Sequence, residues 1–413
     1  MITLLATTVL LFAPVTSESE VNEWLPRAEQ SAARVRAARD EFECWPLIGR
    51  VYLRRGDIER AMATVAHIAD ADWRRMAVAG LAREAAERGA LDEARLVLDR
   101  VADHRLRNEC LFVVAGIASS QHRFVEAQQL CTSLDDATRQ QELWYGVAAE
   151  EALARQYELA SRTAQQVRET GEWQRARLLE FIETCRRQGL RTQPKPIIAD
   201  FAQEVFSLDG TDWTPRSEDV TNDERLMKET SDPTQRAVIS TYLARWYQGH
   251  NQAARCRFAI ATAAESISGI RSNRDRIRCC AELAETMIGA GLSQEARRLV
   301  DEVATRDVVA SVLKRPDVKE SDVYDLPPKV VFVLIRLGRI GDAFEVAESA
   351  SGLLRGAETW WAAGIACALA GKTEEVRRRL PTMERERDRA LLAAGVALGL
   401  QELAEKENKK AHQ

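Results

Sequence analysis

The side chains best equipped for metal or nucleophilic chemistry in this chain are five histidines and eight cysteines. The histidines are His67, His104, His122, His250 and His412. A metal site needs several convergent ligands, and their spacing offers none, so no metal is expected. The cysteines are Cys44, Cys110, Cys131, Cys185, Cys256, Cys279, Cys280 and Cys367. No C-x-x-C pair occurs, and most sit in apolar helical stretches where a thiol behaves as a small hydrophobe. Reduced core thiols are expected rather than a disulfide framework. No G-x-S-x-G, G-x-x-x-x-G-K-[ST] or H-E-x-x-H signature is present. Gly289-Ala-Gly291 lacks the third glycine of a dinucleotide loop, and the acidic stretch 207–224 lacks the ligand order of a calcium loop. No catalytic residue and no cofactor is therefore expected. A net charge of −5 argues against a nucleic-acid partner held through phosphates. Arginine, at 49 residues against 9 lysines, is the abundant polar group with recognition chemistry, since its fork pairs with carboxylates and stacks on rings.

The elements that would position those arginines follow from a repeat. Gly56-Asp-Ile-Glu-Arg-Ala61 returns as Gly89-Ala-Leu-Asp-Glu-Ala94, His122-Arg-Phe-Val-Glu-Ala127 and Arg155-Gln-Tyr-Glu-Leu-Ala160, each 33 residues on. A large apolar residue precedes each alanine by three (Ile58, Leu91, Phe124, Tyr157), and another follows by seven (Ile68, Val101, Leu134, Val167). Twelve before it stands a small residue: Gly49, Ala82, Ala115 or Ala148. Spacings of three and four are the stripe of an amphipathic helix. Each unit holds two helices of roughly a dozen residues, with the chain reversing at the Gly or polar position. One hairpin cannot bury its own apolar face, so the units are expected to stack as an all-α solenoid of antiparallel hairpins.

These columns resemble tetratricopeptide repeats. The match lies in Trp45…Ile48-Gly49…Tyr52 with Gly56-x-Ile58-x-x-Ala61, and again in Trp144…Val147-Ala148…Tyr157-x-x-Ala160, and it covers residues 19–190 best. The units are one residue shorter than that family's and lack its closing proline. The resemblance implies a groove lined by first helices, with Arg50 and Arg83 in one column and Pro46, Phe112 and Tyr145 in a second. Arg54 and Glu87 share a third. It implies a protein or peptide partner. Arg50 and Arg83, one repeat apart, suit a segment carrying carboxylates or a free C-terminus.

Four segments complete the organisation. Residues 1–17, apolar up to Ala13 and followed by Pro14 and Val15-Thr16-Ser17, have the shape of a secretory signal peptide without a basic n-region. Residues 18–206 form the expected first lobe, 207–232 an acidic linker, and 233–413 a second lobe with an insertion near 306–326. Turn phrases recur there at Gly249…Ala254, Gly291…Ala296, Gly338…Ala343 and Gly371…Val376. Lys329–Ile335 reads as a first helix rather than a strand. In Trp360-Trp361 the repeat phase puts Trp360 in the core and leaves Trp361 as the exposed ring. Glu384–Asn408 reads as a final capping helix. No later stretch is long and apolar enough to span a membrane. The leading expectation is a periplasmic or secreted, non-catalytic peptide-binding scaffold of a bacterial cell envelope. The alternatives are a helical-superhelix enzyme or carbohydrate-active accessory with a carboxylate site, and a cytoplasmic regulator.

Overall fold

The computed structural model describes residues 18–167, 172–188, 220–304, 306–313, 326–351 and 356–411. The signal-peptide reading of residues 1–17, the first half of the linker and most of the 306–326 insertion lie outside them. Every regular element among the described residues is helical. The chain divides into a middle unit, Arg36–Thr211, and a split unit formed by Met1–Val35 with Asp212–Gln413.

The first helix, α1 (Glu18–Ala32), belongs to the split unit. The middle unit then runs α2 (Ala38–Arg54), α3 (Ile58–Ala66), α4 (Ala71–Glu87), α5 (Leu91–Asp99), α6 (His104–Ser120), α7 (Phe124–Thr132), α8 (Ala137–Leu153), α9 (Tyr157–Ala164) and α10 (Glu172–Gln188). Local chemistry sets the helix starts. Asp70, Asp103 and Asp136 are N-caps whose carboxylates accept from the Trp73, Leu106 and Arg139 backbone N–H groups at 2.9, 2.7 and 3.1 Å. The first helices end in one repeated device. At the α2–α3 turn Gly56 N–H bonds the Leu53 carbonyl and Asp57 N–H bonds that of Tyr52, which is a Schellman closure. It needs a left-handed residue, supplied by Gly56, Gly89, His122 and Arg155 at φ 75°, 78°, 61° and 64°. Five residues past each lies a fully buried small side chain: Ala61, Ala94, Ala127 and Ala160. Successive first helices α2, α4, α6 and α8 pack on one another, and each packs on the second helix that carries that buried alanine.

The split unit continues with α11 (Val220–Glu229), α12 (Pro233–Gly249), α13 (Ala253–Ser268), α14 (Asn273–Gly289), α15 (Ser293–Val303) and α16 (Arg306–Leu313). It ends with α17 (Leu326–Arg336), α18 (Ile340–Ala350), α19 (Gly356–Leu369), α20 (Thr373–Arg379), a 3-10 turn Leu380–Thr382 and α21 (Glu386–Ala411). The same turn device serves at Asn251, Gly291, Gly338 and Gly371, with Cys256, Ala296, Ala343 and Val376 buried five residues on.

The structure departs from the sequence reading in four places. The 207–232 linker is partly helix: Val220 and Met227, two turns apart, bury against α12, and the Tyr247 hydroxyl donates to Glu224. The α12–α13 turn is centred on Asn251, not Gly249, so Cys256 is buried and Ala254 exposed. Asparagine also tolerates the left-handed region, which shifts the phase by two. The expected first lobe began at residue 18, but α1 packs on α21. Consequently α21 is not the outermost cap; it is buried at every position from Ala390 to Leu400. On its other side α19 approaches very closely. A Cβ on Gly364 would run into the Leu392 carbonyl, one on Gly395 into the Trp361 carbonyl, and one on Gly399 would stand 2.7 Å from the Ala368 Cβ.

Candidate functional site

Residues three and four apart on a helix share a face. On α4 that rule groups Met76, Ala79, Gly80 and Arg83; on α6 it groups Glu109, Phe112 and Val113; on α8 it groups Glu142, Tyr145 and Gly146. Because α4, α6 and α8 pack consecutively, these groups belong to adjacent helices. Met76, Val113 and, on α10, Leu179 are exposed to 59%, 37% and 40%. Phe112 and Tyr145 are half-buried. A Cβ added at Gly80 or Gly146 would meet nothing within 4 Å, so the backbone there is bare beside the large side chains. Burial raises the Tyr145 phenol above its ordinary range, opposed by the Arg177 charge, and burial likewise raises the Glu142 carboxyl. The face therefore combines apolar bulk, gaps, and polar tips drawn in among them.

The arginines fare differently from the sequence expectation. Arg54 is not presented to a ligand. Its Nε and Nη2 both donate to Glu84 Oε1, at 3.0 and 2.7 Å, pinning α2 to α4 with both side chains largely buried. Arg83 is exposed, and its Nε donates to Glu87 one turn on, at 2.6 Å. Arg50 is half-buried and already engaged. Trp361, on α19, is half-buried rather than exposed, because α21 lies against its backbone.

Many of the remaining arginines and neighbouring amides close helix ends. Arg123 Nη1 donates to the Gly89 carbonyl at 2.5 Å, and Gln121 Nε2 to the Ala86 and Glu87 carbonyls, both at 3.0 Å. Arg297 reaches the Leu337 carbonyl at 2.5 Å. These contacts give a structural reason for arginine over lysine: a planar fork reaches the unsatisfied carbonyls of a neighbouring hairpin while its stem packs. Sequence reasoning missed these pins because their partners lie 34 to 40 residues away. It also missed Glu151 on α8, which is fully buried. One carboxylate oxygen accepts from Gln128 at 2.7 Å, the other has no partner, and burial raises its carboxyl.

Among the described residues no group of His, Cys, Asp or Glu could hold a metal. All eight cysteines are buried thiols; burial pushes Cys110, Cys280 and Cys367 up to about 12, far from a nucleophilic thiolate at neutral pH.

The chain matches no known family model and no curated protein. Among solved structures it is similar to the crystal structure of Ton1535 from Thermococcus onnurineus NA1, at 16% identity and a TM-score of 0.27 over 84% of this chain and 98% of that one. A likeness at that level carries no argument about arrangement or activity.

Proposed function

We propose that this protein is a non-catalytic scaffold that binds a peptide or an extended segment of another protein on the first-helix face of the middle unit. The observation that carries the reading is the run of Met76, Phe112, Val113, Tyr145 and Leu179 on successive first helices, interrupted by bare backbone at Gly80 and Gly146. Exposed apolar side chains in contiguous array mark interaction surfaces. Gaps beside aromatic rings suit the anchors that dominate peptide affinity. The stacking of hairpins as a tetratricopeptide-like solenoid belongs to the same proposal. It is supported by first helices of 17 residues opening at Ala38, Ala71, His104 and Ala137.

Arg50 and Arg83 set the charge preference of the ligand, which is a segment carrying carboxylates or a free C-terminus beside its apolar anchors. The Arg83–Glu87 pair does not oppose this, since an exposed pair one turn apart is worth only about 0.3–0.5 kcal/mol and exchanges readily with an incoming carboxylate. Export to the periplasm or beyond is part of the proposal and rests on the apolar run before Glu18; N-terminal sequencing of the native protein should begin near that residue.

The test is selection of peptides from a randomised library by the purified chain. Selected peptides should pair a bulky apolar residue with a carboxylate. Phe112→Ala with Tyr145→Ala should abolish their capture. Arg50→Glu with Arg83→Glu should weaken capture and reverse the sign of its salt dependence, since salt then screens a repulsion. Undiminished binding by the aromatic double variant would move the site off this face.

A further inference from the structure

The face of α21 turned away from α19 is covered by α1, and the chemistry of that contact is that of a ligand in a seat. Val21, Trp24, Leu25, Ala28 and Ala32 of α1 are buried, while Asn22, Pro26, Arg27 and Gln30 are exposed. That is the anchor spacing of an amphipathic helix laid into an apolar groove. Polar contacts fix its register. The Glu23 carboxylate takes both donors of Arg377 on α20, Nε to Oε1 at 3.1 Å and Nη2 to Oε2 at 2.6 Å. The same guanidinium stands over the Trp24 ring at 5.6 Å, with Arg27 at 5.4 Å from that ring. Arg34 reaches Glu386 at the start of α21, at 3.4 Å.

Three features make α1 the weak member of this pair. Pro26 stands inside the helix, where it removes one backbone donor and crowds the preceding turn. A helix of 15 residues is marginal alone even without proline, so α1 is helical because it is docked. The Trp24 indole N–H is buried without an acceptor, which costs stability in the seated state. A short stretch, residues 33–37, joins α1 to α2. When α1 lifts, the face of α21 along 390–400 is left as an uncovered apolar stripe.

We propose that this seat on α20 and α21 is an exchangeable helix-docking site, and that its second occupant is α1 of another copy of this chain. Another copy carries every complement the seat displays: the acidic residue opposite Arg377, the indole, and small residues one and two turns on. Each copy would give a helix and receive one, which closes as a two-fold pair without new surface chemistry.

The probe is a dye-labelled synthetic peptide of residues 18–35, incubated with the full-length chain and followed by anisotropy. Saturable capture is expected. It should rise by about tenfold or more when the chain carries Trp24→Ala, because its own helix then competes less well. Glu23→Gln, which keeps the apolar stripe intact, is a second loosened chain and should act in the same direction. A peptide with Glu23→Arg should be refused by the wild-type chain and taken by the Arg377→Glu chain. Two differently tagged full-length chains, mixed at high concentration, should form mixed dimers that Trp24→Ala prevents. Absence of capture by the wild-type and both loosened chains, with helical circular dichroism intact, overturns the proposal. So does failure of the charge-swapped pair to restore capture, and so does peptide capture without any mixed dimer.

Discussion

The middle and split units use the same turn and different seams. In both, a left-handed residue closes the first helix and a buried small residue follows five positions later. In the middle unit, however, the load is spread. Ala61, Ala94, Ala127 and Ala160 each secure one hairpin, and polar pins such as Arg54–Glu84 and Arg123–Gly89 tie each hairpin to the next. In the split unit much of the order rests on one seam, where Gly364, Gly395 and Gly399 let α19 and α21 approach until backbone meets backbone. A spread load should respond to substitution in graded steps; a single seam should fail at once.

The sharpest way to break this contrast is a pair of glycine substitutions. Gly364→Leu drives a side chain into the Leu392 carbonyl and should destabilise the split unit by about 3 kcal/mol or more. Gly80→Ala in the middle unit meets open space and should be neutral or stabilising by up to about 1 kcal/mol. Urea unfolding of both variants measures this, and equal losses would show that the units do not differ in the way described.

Ala94→Leu tests a single step of the spread load. The site is fully buried between α4 and α5, so overpacking should cost about 1–3 kcal/mol. An unmoved midpoint of unfolding would show that the alanine does not set the hairpin's closeness.

Glu151 gives the middle unit a pH dependence of unusual sign. Burial raises its carboxyl in the folded state, outweighing the hydrogen bonds from Thr163 and Gln128 and the Arg162 charge, which act the other way. The folded state thus holds a proton that the unfolded chain releases near its ordinary value of about 4.3. This contribution to stability is complete below that value and is lost as pH rises through the raised folded value. Glu151→Gln keeps the Gln128 contact geometry and should flatten that part of the stability–pH curve. A curve that keeps its slope in the variant would assign the effect to another group.

The smallest expected effect sharpens the turn comparison. His122 occupies the left-handed position that Gly56 and Gly89 fill elsewhere. His122→Gly should stabilise by about 1 kcal/mol, because the Cβ strain of that conformation disappears. The partial loss of the His122–Phe124 ring contact, at 5.7 Å between centroids, works against it. Gly89→Ala should move stability the other way.

Much of this fold was legible before any coordinates. The alanine phrase located the α2–α3, α4–α5, α6–α7 and α8–α9 turns, because a Schellman closure depends on residues within one helical turn of it. Asp70, Asp103, Asp136 and Asp232 each stand one residue before a helix, so the cap chemistry that starts those helices is written locally too. Asn251 was harder, since Gly249 two residues earlier offers the same backbone freedom and only the burial of Cys256 decides between them. The candidate site was legible in part. Phe112 and Tyr145 are half-buried residues of α6 and α8, whereas Arg54 pairs with Glu84, a partner 30 residues away that no local rule selects.

The sequence by itself determined that the chain is helical, where most hairpins turn, and which small residues sit at their necks. Those properties arise from backbone sterics and periodicities of three to four residues, so they are written within short windows. Only the tertiary structure decided that α1 seats on α20 and α21, across 354 residues between Glu23 and Arg377, and that Arg54 pins α2 to α4 through Glu84. An amphipathic stripe states that a helix must bury one face. It does not name the face that receives it, because apolar burial is non-directional and any complementary stripe of matching width satisfies it.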